Sequence, residues 1–222
     1  MQLIVSCRTG HQLFAAVTAR VIPQLFEANR LCFSRNMSTK TVLALLTEGT
    51  EEMELVISVD VLRRAGVNVT VAGLGAGSVY KCSRGVLVSS DTTLDDALSK
   101  GPYDVVLLPG GPGHKDFSSS EKVGSILKEQ EKSGRLIAAI CAAPIALKAH
   151  NVCTNKKVTC YPSVKDQMLE GGAYTYVESK VVVDGKLITS QGPGTAYDFA
   201  LAVAEQLLGK DAVTPVAKAL LL

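Results

Sequence analysis

The chain has 222 residues, 47% of them hydrophobic, with 23 basic and 21 acidic side chains for a net charge of +2. That length suits one domain plus an appendage, with ample apolar material for a single core. A charge so near neutrality leaves no electrostatic footprint for nucleic acid or an anionic membrane surface, and neither is expected as a partner.

Residues 1–36 read as an appended segment. They carry Arg8, Arg20, Arg30 and Arg35 against a single acid, Glu27, a local net of +3, which leaves −1 for the rest of the chain. Leu13, Phe14, Val17 and Val21 fall near helical spacing, so the segment looks like a mitochondrial transit sequence, the alternative being a disordered extension with no address. Arg20 and Pro23 interrupt its apolar runs, which excludes a bilayer span. Met37-Ser38-Thr39-Lys40 reads as a second start, so a domain is expected over 37–222. The expected compartments are the cytoplasm, with the mitochondrion and nucleus as further ones.

From Thr41 onward, apolar strands alternate with amphipathic helices. Thr41–Leu46 is expected as a strand, and Met53 to Ala65 as a helix with Met53, Val56, Ile57, Val61 and Leu62 on its core face. Strands follow at Val67–Ala72 and Tyr103–Leu108, with a short antiparallel excursion over Val79–Ser90 between them. Residues 120–132 read as a charged helix, Leu136–Ile140 as a buried parallel strand and Lys157–Thr159 as a further strand. A hairpin is centred on Asp184-Gly185, and helices close the chain at Thr195–Leu208 and roughly 211–220. This alternation predicts a doubly wound α/β sandwich with a mostly parallel sheet, whose site lies at the carboxyl ends of the strands. Thr47–Glu54, Gly110–Gly113 and Cys141–Pro144 should then converge at one edge.

Cys141 is the candidate nucleophile. It ends the run Leu136–Ile140 and precedes Ala142-Ala143-Pro144, with Pro144 suited to the first turn of a helix. A thiol there occupies a sharp strand-to-helix turn, and helix-start amides favour its thiolate. Glu54 is the candidate partner, since a carboxyl beside that thiol would share a proton with it and push the two pKa values apart. Glu51 and Glu52 read as solvated residues of the helix start. Gly110-Gly111 matches neither a phosphate loop nor a dinucleotide fingerprint, so no nucleotide is expected. The Gly111 and Ala142 amides together suit an oxyanion hole. The six cysteines (7, 32, 82, 141, 153 and 160) and the three histidines (11, 114 and 150) make no zinc spacing, so no metal is expected and the thiols read as reduced. His150 reads as a packing or capping residue, and His114 as an exposed residue of a glycine-rich loop.

Taken together, these segments resemble the DJ-one family, the Parkinsonism-associated protein deglycases, in the form of an animal homologue with an N-terminal extension. The resemblance spans nearly all of 38–222. It is carried by Glu51-Glu52-Met53-Glu54, Val59-Asp60-Val61-Leu62-Arg63-Arg64-Ala65-Gly66, Lys81-Cys82-Ser83-Arg84, Val106-Leu107-Leu108-Pro109-Gly110-Gly111, Leu136–Ala142 and Ser190-Gln191-Gly192-Pro193-Gly194-Thr195. It implies a flavodoxin-like fold and a homodimer. It also implies that Cys141 is an oxidisable nucleophile paired with Glu54, that Arg84 lies near the dimer interface and the site, and that Pro193 with its flanking glycines shapes the surroundings of the thiol. The implied activity is cofactor-independent deglycase and glyoxalase chemistry on methylglyoxal or glyoxal and their protein adducts, in oxidative-stress protection. The alternative is a non-enzymatic redox sensor or chaperone governed by Cys141 oxidation. Tyr161 stands where the family's commoner pattern has a histidine, and a phenol donates a hydrogen bond but is a poor base near neutral pH. Ala142 occupies the place of the histidine used by the related protease branch, which disfavours peptidase chemistry.

Overall fold

The computed structural model describes residues 39–222, so the expectations for residues 1–36 lie outside the described residues. In chain order the elements are β1 (Thr41–Leu46), α1 (Glu52–Arg64), β2 (Asn68–Gly73), β3 (Val79–Lys81), β4 (Leu87–Ser89), β5 (Thr92–Thr93), α2 (Leu94–Ser99), β6 (Val105–Leu108), α3 (His114–Ser119) and α4 (Glu121–Lys132). There follow β7 (Leu136–Ile140), α5 (Pro144–Ala149), β8 (Lys156–Val158), α6 (Lys165–Leu169), β9 (Tyr174–Tyr176), β10 (Val181–Asp184), β11 (Leu187–Ser190), α7 (Ala196–Leu208) and α8 (Lys210–Ala219).

Seven strands form one sheet in the order β10-β11-β7-β6-β1-β2-β5. Every pairing in it is parallel except β10 with β11, the hairpin at one edge that turns on Gly185. The central strands β6 and β7 are buried along their whole length, which is why they read as unbroken apolar runs rather than alternating ones. Alternate residues feed two cores. Val42, Ala44, Leu46 and Leu107 pack with Leu55 and Leu62 of α1 and Phe199 of α7. Leu43, Leu45, Val106 and Leu108 pack on the other face with Phe117 of α3 and Leu127 of α4. Strand order reverses between β1 and β6, so the crevice between their carboxyl ends is where such a fold opens a site.

Two expectations are corrected here. On α1 the buried residues include Glu54, Leu55, Ser58, Val59, Val61 and Leu62, whereas Met53 and Val56 are each 51% exposed. The helix is rotated relative to the apolar pattern because Glu54, rather than Met53, is directed inward. Glu51 and Glu52 are also buried rather than solvated. Glu51 accepts the Glu54 N–H at 2.8 Å as the helix cap, and Glu52 accepts the Ser83 hydroxyl and the Arg84 N–H, both at 2.8 Å. Elsewhere the expected elements are present with ends displaced by a residue or two. The strand expected at Lys157–Thr159 pairs in parallel with β9 in a separate two-stranded sheet.

Candidate active site

The elbow forms where β7 ends. Cys141 has φ +64°, a left-handed conformation that costs a non-glycine residue about 1–2 kcal/mol. It is pinned from both sides. Its N–H donates to Ser190 O at 2.9 Å, and its carbonyl accepts the Tyr161 N–H at 2.8 Å. Pro144 then opens α5 at a position where its missing N–H costs nothing. The outcome is a nearly buried side chain turned off the strand axis at the mouth of the crevice.

Glu54 reaches the same point from α1. Its side chain is fully buried, and Oε2 accepts the Gly110 N–H at 2.7 Å. Oε1 is equally buried but has no hydrogen-bond partner. Gly110 is the pivot that brings the two groups together. A Cβ placed on it would sit 2.6 Å from Cys141 Cβ, 2.9 Å from Glu54 Oε2 and 3.0 Å from the Ala142 nitrogen, so only glycine allows the thiol and carboxyl to share this space. The β6–α3 loop is stitched to the loop after β1 by Glu51 N–H to Gly110 O at 3.0 Å and Gly113 N–H to Gly49 O at 3.1 Å.

Burial dominates the electrostatics of this pair. It pushes the Glu54 carboxyl up to about 7, with the Gly110 N–H and the Cys141 thiol pulling it down and Glu51 adding a further push upward. Burial likewise pushes the Cys141 thiol up to about 12, reinforced by the Glu54 charge and opposed by the Gly111 and Ala142 N–H groups. The amides act in the expected direction, toward the thiolate, but burial and the Glu54 charge outweigh them. The two groups titrate as a unit: while Glu54 is ionised the sulfur keeps its proton, and protonating Glu54 removes the repulsion that held the thiol up.

The remaining expected residues are placed less centrally. Gly111 and Ala142 supply the two N–H groups that pull the thiol down, and the Ala142 nitrogen lies with Cys141 Cβ around Gly110. Tyr161 is held beside the elbow by its backbone, with its ring against Gly192, yet it is 44% exposed. Pro193 opens a 3-10 turn three residues beyond Ser190, closed by Thr195 Oγ1 accepting the Gly192 N–H at 3.1 Å. Arg84 touches the site region through its backbone bond to Glu52, while its guanidinium is exposed and reaches Ser83 O at 3.3 Å. His150 caps α5 and bonds Phe117 O through Nε2 at 2.8 Å. His114 is half-buried rather than exposed, with Nδ1 on Gly111 O at 2.8 Å. Sequence reasoning missed the structural parts played by Glu51 and Ser190. Glu51 caps the helix through its carboxylate although the usual cap signature calls for Ser, Thr, Asp or Asn, and Ser190 acts through its carbonyl, which any residue carries. Among the described residues no group of three or more His, Cys, Asp or Glu could hold a metal ion, and no helix is long and apolar enough to cross a membrane.

The DJ-1/PfpI family pattern matches residues 40–206, which include the elbow, Glu54 and both stitched loops. The chain belongs to the DJ-1/PfpI family. Similar family members include the Drosophila melanogaster protein dj-1beta, 53% identical over 82% of this chain and 97% of the relative. The Caenorhabditis elegans glutathione-independent glyoxalase DJR-1.2 is 42% identical over 82% of this chain and 97% of the relative. The crystal structure of Drosophila DJ-1beta superposes with a TM-score of 0.80 at 51% identity, covering 83% of this chain and 99% of that one. These family structures share the flavodoxin-like α/β architecture described above.

A carboxyl raised from 4.5 to about 7 on folding makes the folded state bind a proton more tightly than the unfolded chain. Its contribution to stability is full below pH 4.5 and is lost as pH rises through 7, a loss on the order of 3 kcal/mol. Glu54→Gln should therefore melt higher than the wild type at pH 8, with the difference shrinking toward pH 5. Thermal unfolding at the two pH values checks this, and a pH-independent difference would contradict it.

Proposed function

We propose that this chain is a cofactor-independent glyoxalase and deglycase, acting on methylglyoxal, glyoxal and their adducts on protein thiols and amines, in protection against oxidative stress. The observation that carries the reading is the Glu54–Cys141 pair, a buried carboxyl near pKa 7 coupled to a thiol on a strained elbow. A proton donor and acceptor poised near the operating pH is what isomerisation of a dicarbonyl requires. The resemblance to a protein named as a glutathione-independent glyoxalase agrees with it.

In this scheme the Cys141 sulfur bonds the aldehyde carbon as its proton passes to Glu54. The aldehyde oxygen gains negative charge beside the Gly111 and Ala142 N–H groups and takes the proton back from Glu54, giving a hemithioacetal and an ionised carboxylate. Glu54 then removes the hydrogen from that carbon, the hydroxyl proton passes to the neighbouring carbonyl oxygen, and Glu54 returns its proton to the neighbouring carbon. One carbon is thereby oxidised and its neighbour reduced, leaving a 2-hydroxy thioester. Water cleaves the carbon–sulfur bond, releasing the hydroxy acid and restoring the thiol. Neither a metal nor a redox cofactor enters the balance.

A second reading rests on the same two amides. Peroxide converts the thiolate to a sulfenate and a further peroxide to a sulfinate, releasing one water each time. The oxygens so formed need hydrogen-bond donors, which Gly111 N–H, Ala142 N–H and a protonated Glu54 supply. In that role the protein records oxidation and alters its contacts without turnover.

The partner in this proposal is a second copy of the chain. Met53 and Val56 on α1, together with Val86 and Leu87 at the β3–β4 hairpin, are each at least half exposed. Glu52 ties these two elements together. An apolar surface of this kind on a globular domain suits an isologous contact across a two-fold axis.

Wild-type protein should form lactate from methylglyoxal, and Cys141→Ser and Glu54→Gln should each lose at least 100-fold in kcat/KM, as expected for removal of a nucleophile or its proton partner. A wild type with no turnover above buffer-catalysed adduct reversal, yet oxidised selectively at Cys141 by mild peroxide, would put the sensor reading in place of the enzyme. For the assembly, sedimentation should show a dimer that Val56→Glu converts to monomer. A wild-type monomer, or a dimer indifferent to that change, would contradict the interface.

A further inference from the structure

We propose that the cavity beside the elbow, between α3, α5 and α6, is a subsite for a carboxylate carried on the thiol or amine whose dicarbonyl adduct reacts at Cys141. Lys115 and Gln167 are its donors, and they give the site a preference for small acidic carriers over neutral ones. This rests on the reading of Cys141 as the centre at which such adducts react.

The cavity has a volume of about 290 Å³ and is lined by His114, Lys115, Ser118, Ser119, Ile145 and Gln167. Its three walls all lead back to the site. The His114 N–H closes a turn on Gly111 O at 3.1 Å, and the Ile145 N–H closes another on Ala142 O at 3.1 Å. Turns of that kind keep their end Cα atoms within about 7 Å of each other. Gln167 follows Tyr161, whose N–H is held on the Cys141 carbonyl at 2.8 Å, by way of the 3-10 turn Pro162–Val164. The His114 wall is fixed a second time by its ring, which donates from Nδ1 to Gly111 O at 2.8 Å.

The lining selects the ligand. Ile145 is buried and supplies an apolar floor. The Ser118 and Ser119 hydroxyls donate to His114 O at 2.8 Å and Asp116 O at 3.3 Å, so their hydrogens are spent on the helix backbone. Lys115 and the Gln167 amide are different, since among the described residues neither side chain has a hydrogen-bond or ion-pair partner. No acid lines the cavity. Of the nearby carboxylates, Asp116 accepts the Thr47 hydroxyl at 2.8 Å and Glu170 pairs with Lys148 at 3.3 Å. An uncommitted ammonium beside an uncommitted amide, over an apolar floor, matches a carboxylate on a short aliphatic arm. The volume agrees, because ordinary ligand sites begin at about 300 Å³, which leaves room for such an arm and none for a folded surface.

The test measures Cys141 alkylation at fixed pH, resolved peptide by peptide so that the other thiols do not contribute. The reagents are iodoacetyl-glycine and the longer iodoacetyl-γ-aminobutyrate, each set against its neutral amide. In the wild type the longer carboxylate should react about threefold faster than its amide, in the range of a partly exposed ion pair, and the preference should fall at high salt. Lys115→Gln should abolish the preference and Lys115→Arg should keep it. Lys132→Gln, the same charge change on α4, should leave it unaltered. Turnover of the methylglyoxal adduct of mercaptopropionate should likewise exceed that of mercaptoethanol in kcat/KM, in the wild type and not in Lys115→Gln. A wild type without the alkylation preference would overturn the proposal, as would a preference that survives Lys115→Gln. An equal loss in Lys132→Gln would also overturn it, by marking a diffuse field rather than a subsite. Alkylation needs no turnover, so a wild type without glyoxalase activity would remove that reading while leaving this comparison intact.

Discussion

Burial of the Glu54 carboxyl against the Cys141 thiol is the constraint around which the rest of this structure is arranged. An ionised carboxylate out of water is costly unless it is hydrogen-bonded, and here it has one strong donor, the Gly110 N–H, with its second oxygen left unpartnered. The fold tolerates the deficit because the carboxyl can hold a proton near neutral pH instead. That same deficit gives the pair its chemistry, since a group that ionises reluctantly also exchanges protons readily at physiological pH.

Several otherwise separate features follow from keeping that contact. Gly110 must lack a side chain, Cys141 must adopt a left-handed backbone, and α1 must turn Glu54 inward at the expense of exposing Met53 and Val56. The loops after β1 and β6 are then locked together by Gly49, Glu51, Gly110 and Gly113. The exposed apolar residues of α1 are the same ones assigned here to contact between subunits. On this view the geometry of the site and the surface offered to a second copy share one cause, the rotation of α1.

Much of this was legible in the linear chain. The unbroken apolar runs of β1, β6 and β7 announced central parallel strands, and Pro144 after Cys141 announced the elbow. Convergence of the three loops followed from α/β topology alone. The face of α1 was misread because hydrophobicity counts Met53 and Val56 as core residues, whereas a buried carboxyl outweighs the apolar count. Glu51 and Glu52 were misread because their partners are a backbone N–H within the helix and a hairpin some thirty residues away. His114 was unreadable for a similar reason: its partner is a carbonyl oxygen, which carries no sequence signature. Tyr161 marks the opposite case, a position singled out by sequence comparison whose backbone, rather than its hydroxyl, makes the contact with the elbow.

The account stands or falls on the proton affinity of Glu54 in the folded protein. Carbon-13 labelling of glutamate carboxyls, with the Glu54 resonance assigned by its loss in Glu54→Gln, would follow that group directly through a pH titration. The account predicts a midpoint near 7. A midpoint at the ordinary value of 4.5 would mean that the carboxyl is solvated or fully paired, and would contradict the shared-proton pair on which the proposed chemistry depends.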